Sequence, residues 1–436
     1  MYISLTNSPT PAADKREKQL GQKRAPRGIR TVSSTVITLG IVSMLTDISS
    51  ESVSAILPLY ITGFLGLSTI AFGVLDGLYQ GTSAVVRIAG GYASDRLDQP
   101  KWVAFVGYAL AAVARVGLLF WTGFAALTAV ITADRIGKGI RTAPRDALIT
   151  ATSDPARLAS AFGVHRMLDN IGAAIGPFLA FVILLIVPDG FHIVFVASLA
   201  FATIGVAILG LVVPNVRSRR RERSAGTARV RVPWRTIVGG PMRRVLAAAG
   251  ILGLVTIGDG FVYLVLQARS DFAAMWFPLL YVGTNIAFLA FAVPLGRLAD
   301  RVGRARVFVW GHAGLLAAYV VAVLPMSDAA ATILCLVFLG GFYAATDGVL
   351  SALVSQLTPA ESRATAIASA QTVVAVARFV AAAGFGILWF AVGRDLAMIV
   401  VAIVLAVALP LVAVLLHPLL RATVPADASA DPGARA

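Results

Sequence analysis

Long apolar stretches separated by short polar connections occupy the chain from residue 34 onward. The stretches are continuous rather than alternating, and each is long enough for an α-helix to cross a hydrocarbon core about 30 Å thick. The predicted runs are roughly 34–64, 70–94, 102–122, 124–146, 160–187, 191–213, 244–268, 274–298, 306–325, 330–356, 363–391 and 395–417. The pattern therefore predicts an all-α membrane protein with twelve transmembrane helices.

Composition supports this class. Hydrophobic residues make up 58% of the 436 positions and charged residues only 14%, whereas soluble domains are about 45–50% apolar and about 25% charged. The single cysteine, Cys335, lies inside an apolar run, so no intrachain disulfide can form. The first 30 residues have no apolar core, so we expect the first spanning helix, rather than a cleaved leader, to direct insertion.

The net charge of +15 is concentrated in residues 15–30 and 217–244. Such clusters can bind nucleic acid, but in a membrane protein they usually mark the cytoplasmic side, and we favour that interpretation. Connections on the side of the amino terminus hold most of the remaining Arg and Lys, and Arg269 and Arg394 are the exceptions opposite. The asymmetry predicts that both termini are cytoplasmic and that nucleic acid is not a partner.

A half-chain repeat divides the molecule. Gly91-Tyr-Ala-Ser-Asp95-Arg96 recurs 205 residues later as Gly296-Arg-Leu-Ala-Asp300-Arg301, and each copy ends an apolar run. Two related halves follow from such a match. We predict a basic tail at 1–31, a six-helix bundle at 32–213, a basic linker at 214–243, a second six-helix bundle at 244–417 and a tail at 418–436.

Over residues 34–417 this organisation resembles the major facilitator superfamily of secondary transporters. The repeated hexapeptides look like motif A of that family, and Arg135 to Gly139 is similar to its motif B. The Gly172, Gly176 and Pro177 segment looks like motif C, which occurs mainly in proton-coupled exporters. The residues assigned to motif A are Gly91, Asp95, Arg96, Gly296, Asp300, Arg301, Gly303 and Arg304.

The resemblance implies roles for these motifs. The aspartates of motif A would contact a helix start in the opposite half, near Ser362 for Asp95 and near Arg157 for Asp300, and would latch the outward-open state. A carboxylate gains up to about 2 kcal/mol at such a helix terminus. The glycines and proline of motif C would bend the fifth helix and let backbones approach closely.

Charged residues inside the spans are the candidates for chemistry, since a charge at the bilayer centre costs about 2.5–3.5 kcal/mol on insertion scales. Asp47 and Glu51 share one face of the first helix, and two close carboxyl groups favour retention of a proton. Either could instead pair with an arginine, for which Arg115 is the expected partner. The full set of proton-coupling or cavity candidates is Asp47, Glu51, Arg87, Arg115, Arg135, Arg166, Asp169, Asp259, Asp347 and Arg378.

Several pairings within this set are open. Arg135 either serves proton coupling, as the resemblance implies, or forms an ion pair with Asp134. Arg166 and Asp169 could neutralise each other, and Asp347 could pair with Arg378. Asp259 lies between two glycines in the outer half of the seventh span, which suggests an outer gate.

Three functions fit these features to different degrees. The favoured one is a proton-driven antiporter that exports a small amphipathic or cationic compound from a bacterial cell through its plasma membrane, acting as a monomer. The alternative is a proton symporter that imports an anionic metabolite or metal chelate. An enzyme is disfavoured, because the sequence has no H-E-x-x-H, P-loop or cysteine-rich site, and we expect neither a cofactor nor a metal.

Overall fold

The computed structural model describes residues 33–97, 99–154, 157–215, 239–359 and 362–421. Helices account for nearly all of these residues and none of them forms a strand, so the predicted all-α class is confirmed. The predicted basic tail, most of the linker and most of the final tail lie outside the described residues.

Thirteen long helices and one short helix, numbered α1 to α14 in chain order, make up the described chain. They span Ser34–Leu59 (α1), Thr69–Leu97 (α2), Pro100–Phe120 (α3), Phe124–Thr152 (α4), Leu158–Ile186 (α5), Phe191–Leu211 (α6), Gly240–Gly253 (α7), Asp259–Ser270 (α8), Phe277–Val302 (α9), Arg304–Val323 (α10), Asp328–Leu357 (α11), Arg363–Val392 (α12), Arg394–Leu415 (α13) and His417–Arg421 (α14). A π-helical turn, Tyr60–Phe64, extends α1, and a 3-10 turn, Ala274–Trp276, precedes α9.

Within the described residues, nine helices are long and apolar enough to cross a membrane by length and composition alone. Helices α2 and α4 are also long, but they carry ionisable side chains along their length. The count of twelve spans and the cytoplasmic position of both termini stay predictions.

The seventh predicted span is not one continuous helix. The run 244–268 is divided into α7 and α8 by a turn at residues 254–258, where Gly258 has an extended backbone and caps α8. Glycine disfavours a helix interior, and the freed backbone groups find partners elsewhere. The N–H of Ile257 donates to the Tyr319 hydroxyl at 2.9 Å, and that hydroxyl donates to the Val255 carbonyl at 3.2 Å.

Glycines permit tight packing inside the first half, where α1 lies against α5. A Cβ atom built on Gly172 would lie 2.9 Å from the Cα of Met44, and one built on Gly176 would lie 2.9 Å from the Ile48 carbonyl oxygen. Helix α5 continues through Pro177. The motif C glycines therefore set the close approach of α1 and α5.

The two halves meet along a seam in which α2 packs against α12 and α5 against α9. We call the side that holds the start of α1 and the exposed Arg96 and Arg301 the basic face, and the other side the opposite face. Near the opposite face the seam is closed: the Thr69 hydroxyl donates to the Gly386 carbonyl at 3.0 Å. A Cβ atom built on Gly73 would lie 3.2 Å from the Cα of Gly386.

Aromatic rings extend this closure. Phe72 of α2 and Phe261 of α8 make an edge contact with centroids 4.7 Å apart, and Phe261 makes another with Phe385 of α12 at 4.8 Å. Large apolar side chains from both halves therefore fill the seam next to the opposite face, which excludes water there.

Toward the basic face the seam is open. The charged side chains of Arg166 in α5 and Asp347 in α11 are exposed, and charged side chains within spanning helices face water or a partner rather than lipid. The structure thus captures a state that is closed at one face and open at the other.

Candidate functional site

A buried ion network, which we call the Asp134 cluster, joins α3 and α4. Arg115 Nη2 lies 2.9 Å from Asp134 Oδ1, and Arg135 donates to Asp134 Oδ2 through Nε at 2.8 Å and also through Nη2. All three side chains are at most 5% exposed. The guanidinium of Arg135 stacks 3.7 Å from the ring centroid of Tyr79, and Arg115 donates to Ser50 at 3.1 Å.

This network decides two of the open pairings. Arg115 is bonded to Asp134 rather than to Asp47 or Glu51, which corrects the expected partner. The reason is position: Asp134 projects from α4 between the two guanidinium groups, and α3 packs closely on α4. Arg135 forms the ion pair with Asp134 that was its alternative role. Both arginines therefore serve as paired scaffold charges in this state.

A second group, the Asp47 cluster, links α1, α4 and α5. The carboxyl groups of Asp47 and Asp169 are close enough to interact electrostatically, and Ser43 donates to Asp169 Oδ1 at 2.6 Å. Arg141 Nη2 lies 4.0 Å from Asp47, and Arg145 Nη1 lies 3.9 Å from Asp169. Two carboxyl groups from different helices are thus held together within reach of two cations.

The surroundings of the Asp47 cluster correct another expectation. Asp169 interacts with Arg145 and Ser43 rather than with Arg166, whose side chain is exposed. Glu51 lies one helical turn from Asp47, and it interacts electrostatically with both Asp47 and Arg135. Glu51 therefore sits between the two clusters without a direct ion pair to either in the described residues.

A third group, the seam cluster, lies where the seventh span is divided. The Tyr343 hydroxyl of α11 donates to Asp259 Oδ1 at the start of α8. Arg378 of α12 interacts electrostatically with Asp259 and with Asp347. Its guanidinium is 5.8 Å from the Tyr343 ring centroid. The three candidate residues of the second half are therefore neighbours.

The seam cluster also contains a residue that the motifs did not point to. Asp76 of α2, from the first half, lies with its carboxyl group directly against Gly258, and it interacts electrostatically with Asp259 and Arg378. Its Oδ2 atom is buried and has no hydrogen-bond partner in the described part of the chain. An isolated acid in an apolar run was a signal that could have found Asp76, since the insertion cost applies to it as well.

Arg87 reaches across the seam on the open side. Its Nη1 atom donates to the Gln371 side chain of α12 at 3.3 Å. Arg145, Asp146 and Arg166 interact with it electrostatically. The opening toward the basic face is therefore lined by cations from α2, α4 and α5, with Asp146 among them.

The second copy of motif A has its own arrangement. Arg304 donates to Asp300 at 3.0 Å and to the Ala352 carbonyl at 2.9 Å. Among the described residues Asp300 has no ion pair with the helix start near Arg157. Gly303 has a φ of 106°, in the left-handed region that favours glycine, and it caps α10. Arg301 is exposed near the end of α9.

The first copy of motif A lies near the end of α2, which contains Gly91 and Asp95. The Asp95 side chain falls outside the described part of the structure, so its contact with the helix start near Ser362 stays a prediction. Arg96 is exposed at the end of α2.

No group of three or more His, Cys, Asp or Glu side chains that could hold a metal ion occurs in the residues searched, which are the described ones. Two packed halves with ionisable groups inside their spanning helices are the architecture of a secondary transporter.

Comparison with known proteins supports the transporter class. The family model described as Major Facilitator Superfamily matches residues 39–283 and 270–435. An uncharacterized MFS-type transporter of Methanocaldococcus jannaschii is 29% identical over 375 residues, which cover 83% of this chain and 89% of that one. An uncharacterized protein of Mycobacterium tuberculosis is 31% identical over 144 residues, 33% of this chain and 34% of the relative.

Solved structures share the fold at low identity. The nucleoside transporter NupG has a TM-score of 0.74 at 14% identity, covering 88% of this chain and 99% of its own. A POT family transporter in complex with 5-aminolevulinic acid has a TM-score of 0.72 at 15% identity, covering 90% and 98%. The chain belongs to the Major Facilitator Superfamily. It is a multi-pass membrane transporter of small molecules, and the family is not enzymatic.

Proposed function

We propose that this transporter is a proton-coupled antiporter that exports a small amphipathic or cationic compound by alternating access. It would act as a monomer in the plasma membrane of a bacterial cell. The carboxyl pair of Asp47 and Asp169, held between α1 and α5, is the observation that carries the proposal. Motif C in α5 supports the exporter assignment through the family resemblance.

The carboxyl pair is suited to hold one proton. Two adjacent carboxylates cannot both ionise without electrostatic cost, whereas one shared proton turns the contact into a hydrogen bond. The Asp47 side chain is 14% exposed and that of Asp169 is 23% exposed. Both are therefore reachable by water from the open side of the seam.

Neighbouring cations allow the proton to leave. Lys138 and Arg141 act on Asp47, and Arg145 lies 3.9 Å from Asp169. These positive charges compensate the second negative charge when the pair ionises. The pair can therefore exchange a proton on each cycle rather than trap it, which is what coupling requires.

Motif A fits the same cycle. In the state described, the basic face is open and Asp300 is bonded to Arg304. If that face is cytoplasmic, the state is inward-open. Closing it would carry α9 toward α5 and bring Asp300 to the helix start near Arg157, where the resemblance places its latch.

The test uses ethidium as a cationic amphipathic probe in everted membrane vesicles with an imposed pH gradient. We expect gradient-driven ethidium transport, and we expect Asp47→Asn and Asp169→Asn to lose the gradient dependence. Asp271→Asn is the control, because Asp271 is exposed at the end of α8 in a left-handed conformation that asparagine also adopts. Equal transport without a gradient, together with normal behaviour of both variants, would refute proton coupling.

The second candidate is proton-driven import of an anionic metabolite or metal chelate. Its support is the cationic lining of the opening, where Arg166 is exposed and interacts electrostatically with Arg87. Carboxyfluorescein serves as an anionic probe in the same vesicles. Transport of this probe that is lost in Arg166→Gln but kept in Arg394→Gln, an exposed arginine paired with Asp395, would favour import over export of cations.

A further inference from the structure

The seam cluster contains more acid than base, and its two nearest acids come from opposite halves. Asp76 belongs to α2 and Asp259 begins α8, and each interacts with the other and with Arg378. A single guanidinium therefore faces two carboxyl groups, one from each half, in a state in which the seam is closed near the opposite face. The closed state thus has an unpaired negative charge unless a proton is present.

We propose that Asp76 and Asp259 form a proton-binding site between the two halves, and that closure of the opposite face requires a proton at this site. The inference goes beyond the proposed function, because it holds whatever the substrate and the direction of transport. No motif of the chain assigns a role to Asp76.

The contact of Asp76 with the divided seventh span gives its carboxyl group a defined position. The carboxyl group of Asp76 lies in the space that a side chain at residue 258 would fill: a Cβ atom built on Gly258 would be 2.9 Å from its Cγ atom. A larger residue at position 258 would force this carboxyl group to move from its place. The break between α7 and α8 therefore provides the space that the carboxyl group from the other half occupies.

The hydrogen bonds around the site are incomplete. Asp259 accepts from the Tyr343 hydroxyl, but Asp76 Oδ2 and Arg378 Nε are buried without a partner in the part of the chain that the structure describes. A proton on Asp76 would give its oxygen a donor and remove the excess charge. Buried polar atoms of this kind are costly unless they are satisfied, so the site favours a bound proton.

Arg378 is the cation that acts on both Asp76 and Asp259. The other titratable groups that face the site are tyrosines from four helices and one histidine: Tyr263 of α8, Tyr281 of α9, Tyr319 and His312 of α10, and Tyr343 of α11. Asp347 interacts with Arg378 and draws on the same positive charge. The Asp347 side chain is exposed to water, so Asp76 and Asp259 remain as the two acids that Arg378 must compensate, and one proton balances the site.

The direction of the pH effect follows from linkage. If the closed seam binds a proton more tightly than the open one, then protons favour closure and alkaline conditions favour opening of the opposite face. In the predicted orientation the opposite face is the outer one, so binding of a proton from outside would favour closure of the outer face.

The test measures distances between spin labels on the opposite face by double electron–electron resonance, using the full chain in nanodiscs. Val187→Cys at the end of α5 and Ala329→Cys at the start of α11 take the labels, in a background where the single cysteine is replaced as Cys335→Ala. We expect the ratio of long to short distances to rise about tenfold from mildly acidic to mildly alkaline buffer.

Asparagine imitates the protonated acid, so Asp76→Asn should keep the short distance in alkaline buffer. Asp271→Asn, an exposed carboxyl group outside the seam, should respond like the parent. An Asp76→Asn variant that opens with pH as the parent does would overturn the proposal. The Asp47→Asn variant in the same experiment separates the two proton sites, since loss of coupling at Asp47 leaves the response of Asp76 intact.

A second pair of variants tests the geometry without relying on pH. Gly258→Ala should open the opposite face even in acid, because its methyl group meets the Asp76 carboxyl group. The double variant Asp76→Ala with Gly258→Ala removes that collision and should restore the short distance. A closed Gly258→Ala protein, or a double variant that stays open, would contradict the proposed seating of Asp76.

Discussion

The Asp134 cluster and the seam cluster contain the same kinds of side chain but are completed to different degrees. In the Asp134 cluster one carboxylate is held by two guanidinium groups, with all three side chains at most 5% exposed. In the seam cluster two acids from opposite halves share Arg378, and buried polar atoms remain without partners among the described residues.

The difference separates scaffold from moving part. A buried charge that is fully paired inside one half stays paired when the halves rock, so its contribution to the free energy is the same in every state of the cycle. A buried charge that is paired only across the seam must change its environment in every cycle. Incomplete pairing at a moving interface is therefore the mark of a site that takes up a ligand or a proton.

The largest expected effect is loss of the scaffold. Asp134→Ala leaves Arg115 and Arg135 buried without their acid, and breaking such a pair costs about 3–5 kcal/mol. We expect a large loss of thermal stability in detergent, measured by unfolding of the purified protein. The control is Asp395→Ala, which removes the acid of an exposed pair with Arg394 and should cost less than about 1 kcal/mol. Equal stability of the two variants would show that the Asp134 cluster is not a scaffold.

The next effect concerns the closed end of the seam. A methyl group at residue 386 would lie 3.2 Å from the Cα of Gly73 and closer still to the Thr69 carbonyl oxygen. Overpacking costs about 1–3 kcal/mol, so Gly386→Ala should shift the spin-label distances toward the open state by about tenfold or more.

Gly384→Ala is the matched control for this change, since it lies in the same helix and a Cβ atom there meets nothing within 4 Å in the described chain. We expect it to behave like the parent. A similar shift in both variants would mean that helix propensity, rather than the α2–α12 contact, sets the equilibrium.

A smaller effect is expected at the seam cluster. Tyr343→Phe removes the hydroxyl group that donates to Asp259, and a hydrogen bond to a charged group contributes about 1.5 kcal/mol or somewhat more. Tyr343 and Asp259 belong to the same half, so the bond persists in both states and its loss acts through the proton: ionised Asp259 needs this donor more than protonated Asp259 does. We therefore expect the variant to hold the proton more tightly, which shifts the distance ratio about tenfold toward the closed state in alkaline buffer and less in acid. Distances that change equally at both pH values would argue against a proton at this site.

The smallest effect is expected for Thr69→Val. This variant loses one neutral hydrogen bond of 3.0 Å to the Gly386 carbonyl, with a net contribution of about 1 kcal/mol. We expect a shift of about fivefold in the same distance ratio, with no change in its pH dependence. A change in pH dependence would mean that the closing contacts and the seam cluster are not separable.

Most helices could be predicted from the sequence, because in lipid every backbone polar group must be satisfied within its own segment. The runs beginning near residues 34, 102 and 191 match α1, α3 and α6 within a few residues. The division of the seventh span was missed, since glycines at 253, 258 and 260 do not interrupt an apolar pattern. Only the partners that Tyr319 offers to the freed backbone make the break stable.

The chain's own order of apolar and ionisable residues was enough to determine a helical membrane protein with charges buried at a cost. It also placed Asp47, Asp259 and Arg378 among the candidates. The pairing of the charged side chains was decided by tertiary structure alone: Arg115 forms an ion pair with Asp134, and Asp76 contacts Gly258 of the other half. The reason is that a sequence fixes how residues are arranged along one helix, whereas contacts between helices depend on how close glycines let them pack.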